Sequence, residues 1–235
     1  MLGERWTEEA ERLYRRYQLE IVEACGLCPW AERARVEGRF RTRIILQADA
    51  SATQAAIRAI DDLVADPTAE VAVLVYPRLR LGRLEFERFV GEVRTTDAQR
   101  HPVGCIPYVF AAFHPDAAPD LTDAERLIPF LRRAPDPTIQ LLRSDVLDHI
   151  RSSSPQGTQF VDLHALEAFE GEAKGTGPSL RQRIARTNLA TIERMGLAEM
   201  TRRIDAIVAD RKGTYAALES AAAPGELRAL GALPA

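Results

Sequence analysis

The sequence predicts an α/β protein: a small, mainly parallel sheet of about three strands flanked by helices, with a helical C-terminal half. Two observations carry that expectation. Apolar or β-branched runs at residues 41–47, 70–76 and 107–113 alternate with amphipathic segments, an order that favours parallel pairing through right-handed crossovers. After residue 116 the apolar periodicity becomes mostly helical.

The first helix is expected over residues 7–25. Thr7 suits its N-cap, and Ala10, Leu13, Tyr14, Tyr17, Ile21 and Ala24 recur at helical spacing. Gly26 is a natural terminator. Proline favours the first position of a helix, so Cys28 before Pro29 reads as the N-cap of a short helix ending near residue 37. Further helices are expected over 53–64, 84–93, 122–132, 137–150, 163–169, 179–195 and 197–210. Residues 1–210 form one domain in this reading and 211–235 a C-terminal tail; after Tyr215 the chain has little power to form a core, though 227–233 could dock. The stretch 152–179 contains SSSPQG and KGTGPS and is expected to be a mobile insertion or lid.

Composition narrows the function classes. A chain of 235 residues with 46% hydrophobic and 28% charged residues is ordinary for a globular protein. A formal net charge of -3 argues against general nucleic-acid binding, which needs a basic face. The charged N-terminus lacks the apolar centre of a signal peptide. No apolar run approaches the roughly 20 residues that span a bilayer. Three cysteines cannot build a disulfide framework in a chain this long, so a reducing cytoplasm is expected.

Two short segments carry the chemistry: Cys25-Gly26-Leu27-Cys28-Pro29-Trp30 and Phe113-His114-Pro115-Asp116. Ligands gather beyond the carboxyl ends of parallel strands, where Tyr76, Arg78, His114 and Asp116 fall. A thiol at a helix N-terminus feels the positive end of the dipole, which lowers its pKa; Arg33 and Arg35 would add to that at Cys28. A thiolate beside an imidazole is a nucleophile–base pair and equally half of a metal site. One CxxC pair is too little for a zinc site. A redox CxxC usually follows a strand, whereas this one follows a helix. Cys25 and Cys105 read as buried small side chains, and His101, His149 and His164 as incidental. Asn188 falls four residues from both Ile184 and Ile192, on the inward face of its helix, where it either fixes backbone or points into a site.

Taken together these segments resemble a bacterial family known as domain of unknown function 1415. The resemblance rests on Leu27-Cys28-Pro29-Trp30-Ala31, Val75-Tyr76-Pro77 and Phe113-His114-Pro115-Asp116. It continues through Arg133-Ala134-Pro135, Leu141-Leu142-Arg143 and Asn188-Leu189-Ala190-Thr191, from about residue 10 to residue 196. It singles out Cys28, Pro29, His114, Asp116, Arg133, Arg143 and Asn188, and not Cys25. Trp30 and Ala134 depart from the usual phenylalanine and serine. The family name brings no established activity.

Three functions follow as expectations. The first is a cytoplasmic enzyme acting on a small anionic metabolite, with Cys28 as nucleophile, His114 as acid/base and Asp116 as orienting carboxylate. Arg133 and Arg143 would grip a carboxylate or phosphate, with Arg33, Arg35, Tyr76, Arg78 and Asn188 around them. The second is a transition-metal or haem enzyme, with His114 and either Cys28 or Asp116 as ligands. The third is a non-catalytic module that binds an anion or a partner through its arginines. No nucleic-acid or membrane partner is expected.

Overall fold

The computed structural model describes residues 1–102, 104–117, 126–146, 180–223 and 225–230, except the side chains at 29, 180–185, 187 and 228. The expected helix 163–169 and the expected lid 152–179 lie outside the described residues, as do His149 and His164.

The sheet has four strands and is mixed. Strands β1 (Phe40–Ile44), β2 (Val71–Val75), β3 (Tyr108–Phe113) and β4 (Thr138–Arg143) lie in the order β1-β2-β4-β3. β1 and β2 pair in parallel, while β4 runs antiparallel to both β2 and β3. The three expected strands therefore do point the same way, but β3 is separated from β2 by a strand read as the helix 137–150. That segment is extended because Pro135 and Pro137 precede it and because both faces of Thr138–Leu142 are buried, which hides the period-2 alternation. β4 is paired along its whole length, Val73 to Gln140 to Ala111 across the sheet.

Helices cover both faces. On one side lie α1 (Leu2–Tyr17), the π-helical turn Gln18–Glu23 that continues it, α2 (Pro29–Val36), α5 (Ile128–Leu131), α6 (Leu180–Met195) and α7 (Leu197–Ala221). They enclose Val71, Val73, Val75, Ala111, Phe113 and Leu142. On the other side α3 (Ser51–Ala65) and α4 (Arg83–Ala98) pack over Ala72, Leu74, Tyr76, Tyr108, Phe110, Ile139 and Leu141. Alternate residues of each strand thus face different layers.

α1 starts with Met1 as N-cap, earlier than Thr7, because Leu2 and Trp6 extend its buried stripe onto Tyr215 and Leu218. Ala24, at the other end of that stripe, is exposed. Gly26 (φ +63°) ends the segment as expected, in a conformation that glycine adopts without penalty. The boundary expected at residue 210 falls inside α7, which continues to Ala221. Within that segment Tyr215 stacks on Trp6 with ring centroids 4.5 Å apart. Its hydroxyl donates to Asp136 Oδ2 at 2.7 Å, while Arg211 Nε meets Oδ1 at 2.6 Å. A wholly buried carboxylate thereby ties the entry of β4 to α7. The short α8 (Glu226–Ala229) brings Leu227 and Leu230 against the same cluster.

Candidate functional site

Cys28 is the N-cap of α2 with Pro29 at the helix start, as the sequence requires. The backbone N–H groups of Trp30 and Ala31, the Gln140 side chain and the Arg132 charge all favour its thiolate. Burial outweighs them together and pushes the thiol up to about 11. The expected lowering is therefore reversed: the dipole argument holds, but a sulfur 2% exposed among hydrocarbon pays more for charge than a helix end returns. The cation that acts on it is Arg132, neither Arg33 nor Arg35.

His114 belongs to the other face. Phe113 points into the layer of Cys28, so the next residue points away from it. The imidazole packs on Phe86 of α4, ring centroids 5.8 Å apart. Nε2 lies 2.9 Å from the Leu81 carbonyl oxygen, which can only accept, so Nε2 carries the proton. Nδ1 accepts the backbone N–H of Asp116 at 3.2 Å. The Asp116 carboxylate, 3.8 Å from Nδ1 and exposed, holds no hydrogen bond to the ring. Both imidazole nitrogens are thus occupied by backbone, and burial holds the pKa below the ordinary histidine value. The Cys28–His114–Asp116 constellation is not assembled: the sheet stands between its sulfur and its imidazole. For the same reason Cys28 and His114 do not form a joint ligand pair. Among the described residues no three His, Cys, Asp or Glu side chains are gathered to hold a metal ion.

The expected arginine cluster is dispersed. Arg33 pairs with Glu70 at 3.0 Å and Arg35 with Glu23 at 2.7 Å. Arg78 donates to the Leu46 and Leu227 carbonyls, tying α8 to the segment after β1. Arg133 donates to the Pro115 carbonyl at 2.7 Å and pairs with Asp205 at 2.8 Å, bracing the His114 turn against α7. Arg143 reaches Asp145 and the Pro67 carbonyl, each at 3.2 Å. Tyr76 is wholly buried against Phe86 and Phe89. Cys25 is buried, as expected, but Cys105 is exposed.

What does converge is a hollow on the Cys28 side of the sheet, about 300 Å³ including its mouth. Its closed part has room for about one water molecule. Tyr17 and Val22 come from α1 and the π-helical turn, Leu27 from the segment before Cys28, and Phe113 from the end of β3. Ile128, Leu131 and Arg132 come from α5 and its exit, and Asn188 from α6. Arg132 stands over the Phe113 ring, 5.5 Å from its centroid. Asn188 is 4% exposed and its Oδ1 has no hydrogen-bond partner among the described residues. A π-helical turn of this kind is itself uncommon and recurs beside functional sites. Tyr17 donates to the Leu131 carbonyl at 3.0 Å and fixes the wall between α1 and α5.

Arg132 and Gln140 were not among the expected site residues. Gln140 would have stood out as the one polar side chain between Ile139 and Leu141 had 137–150 been read as a strand. Nothing in the sequence separates Arg132 from Arg133; only the backbone turn decides which of them faces the hollow.

The family model described as "Protein of unknown function (DUF1415)" matches residues 10–202. The chain belongs to that family. The match spans Cys28, the His114 turn, β4 and Asn188, so the hollow lies wholly within the family's extent. No curated protein and no solved structure matches the chain. Among the described residues no helix is long and apolar enough to cross a membrane.

Proposed function

We propose that the protein is a cytoplasmic enzyme that acts on a small anionic metabolite in the hollow between α1, α5 and α6. The observation that carries this reading is the orphaned amide oxygen of Asn188, buried on a hollow that also presents Arg132. An unsatisfied buried acceptor costs stability, so a site that keeps one has a use for it. Arg132 supplies the charge for an anion, and Cys28, which does not itself line the hollow but follows Leu27 of its wall and lies within the field of Arg132, supplies the reactive atom.

Burial raises the Cys28 thiol, while its other neighbours favour the thiolate. Hydration of the sulfur on ligand binding would lower it and increase the thiolate fraction at this helix N-terminus. His114 takes no part; it fixes the turn that follows β3.

The test is a mixture of small carboxylic and phosphorylated acids incubated with the protein and followed by proton NMR. Consumption of one acid is expected, lost in Cys28→Ser and retained in Asp116→Ala. Turnover that survives Cys28→Ser, or that disappears in Asp116→Ala with the fold intact, would overturn this reading.

A further inference from the structure

We propose a second anion site, separate from the hollow above: the cavity beyond the carboxyl ends of β1 and β2 binds a phosphate group, free or carried by a small ester. Its residues are not those of the reading above, so either can fail alone.

The cavity, about 290 Å³, is lined by Ala48 from the segment after β1 and by Arg78, Leu79 and Arg80 from the segment after β2, with Glu219 of α7 and Leu227 of α8 opposite. β1 and β2 are the parallel pair of the sheet, and ligands gather beyond the carboxyl ends of such strands. The volume accommodates a phosphate together with several waters.

The charges of the lining do not balance. Arg78 gives its hydrogen bonds to two neutral acceptors, the Leu46 and Leu227 carbonyls, and pairs with no carboxylate among the described residues. Arg80, 81% exposed at the mouth, pairs with Glu219 at 2.8 Å. Two guanidinium groups therefore share one carboxylate. Burial first, and then the Arg80 charge, disfavour the Arg78 cation, and Glu219 offsets them only in part. An anion in the cavity relieves that imbalance. An ion pair as exposed as Arg80–Glu219 contributes little, so an incoming anion can take the place of the Glu219 carboxylate.

Shape separates phosphate from carboxylate. A carboxylate has two oxygens in one plane and is saturated by a single guanidinium fork. Phosphate oxygens diverge, so some can meet the remaining donors of Arg78 while others meet Arg80. The backbone N–H groups of Arg80 and Leu81 add donors that have no partner among the described residues.

The experiment titrates the isotope-labelled full chain with inorganic phosphate, glycerol 3-phosphate and acetate at constant ionic strength, followed by amide NMR. Phosphate should shift Ala48, Leu79 and Arg80 saturably, and acetate should bind there about tenfold more weakly. Arg80→Ala should weaken phosphate binding about fivefold, and Glu219→Gln, which removes the competing carboxylate, should tighten it about threefold. Both side chains are exposed, so these variants keep the fold. Tighter binding of glycerol 3-phosphate than of phosphate assigns the group to a small ester, and the reverse assigns the free ion; either supports the site. Acetate binding as tightly as phosphate, shifts that never saturate, or a Glu219→Gln variant that binds no better than the parent overturns it. Phosphate shifts confined to Leu27, Phe113 and Asn188 also overturn it and leave the hollow standing.

Discussion

Replacing His114 with alanine should cost fold stability, by an amount set by two hydrogen bonds and one ring contact. The imidazole links the Leu81 carbonyl at 2.9 Å to the Asp116 N–H at 3.2 Å, and packs on Phe86. Losing two bonds whose far partners water can reach costs about 1 kcal/mol each, and the gap beside Phe86 adds a comparable amount. The total is about 2–4 kcal/mol, or a fall of about 6–12 °C in melting temperature for a chain of this size. Asp116→Ala is the control. Its carboxylate makes no hydrogen bond to the ring and is exposed, so that variant should melt within about 2 °C of the parent. The pH dependence gives a second readout. Burial depresses the His114 pKa, so the folded state binds its proton less readily than the unfolded chain does. This contribution to stability is complete above about pH 6.5 and declines as pH falls below it; the decline should be shallower in His114→Ala. Thermal melts from pH 5 to 8 measure all of this. If Asp116→Ala destabilised as much as His114→Ala, or if His114→Ala left the melting temperature unchanged, the reasoning would fail.

Other outcomes follow from the same structure. With its thiol at about 11 against an ordinary value of 9.0, Cys28 should react with iodoacetamide at pH 7.5 about a hundredfold more slowly than exposed Cys105, by mass-spectrometric timing. Asp136→Ala leaves Arg211 and the Tyr215 hydroxyl without their buried partner and should cost about 3–5 kcal/mol in denaturant unfolding. Asp97 is wholly buried, His101 Nε2 lies 3.4 Å from its Oδ1, and burial outweighs that neighbour and raises its pKa. Its raised pKa means that stability is lost as pH rises through the folded-state value. Asp97→Asn should therefore gain on the parent as pH rises above about 4, the ordinary aspartate value, and a parent–variant difference that stays flat with pH would contradict this.

The local chemistry of the sequence was readable where one segment decides it. The Cys28 cap, the Gly26 stop, the three codirectional strands and the inward position of Asn188 each follow from neighbours within a turn or two. What failed depended on a second segment. β4 lacks visible alternation because both of its faces are covered, and Ile139, Leu142 and Val146 imitate helical spacing. Its insertion between β2 and β3 has no local signal. The pairing of Cys28 with His114 failed by parity: residue 113 faces the sulfur's layer and residue 114 faces α4. The arginines looked like an anion site until Glu23, Glu70 and Asp205 were placed beside them, from 12, 37 and 72 positions away. A thiol's position at a helix start was legible; the burial that raises its pKa comes from a core cluster to which distant segments, α1 among them, contribute.

The most direct test of the account is a two-dimensional amide NMR map of the isotope-labelled protein, titrated with the tightest-binding small carboxylate. The largest shifts should fall on Leu27, Phe113, Leu131 and the Asn188 side chain, with little change at Leu81 and Phe86. Shifts centred on Leu81, Phe86 and the His114 ring, with the Leu27 and Asn188 signals unmoved, would place the site on the other face of the sheet and contradict it.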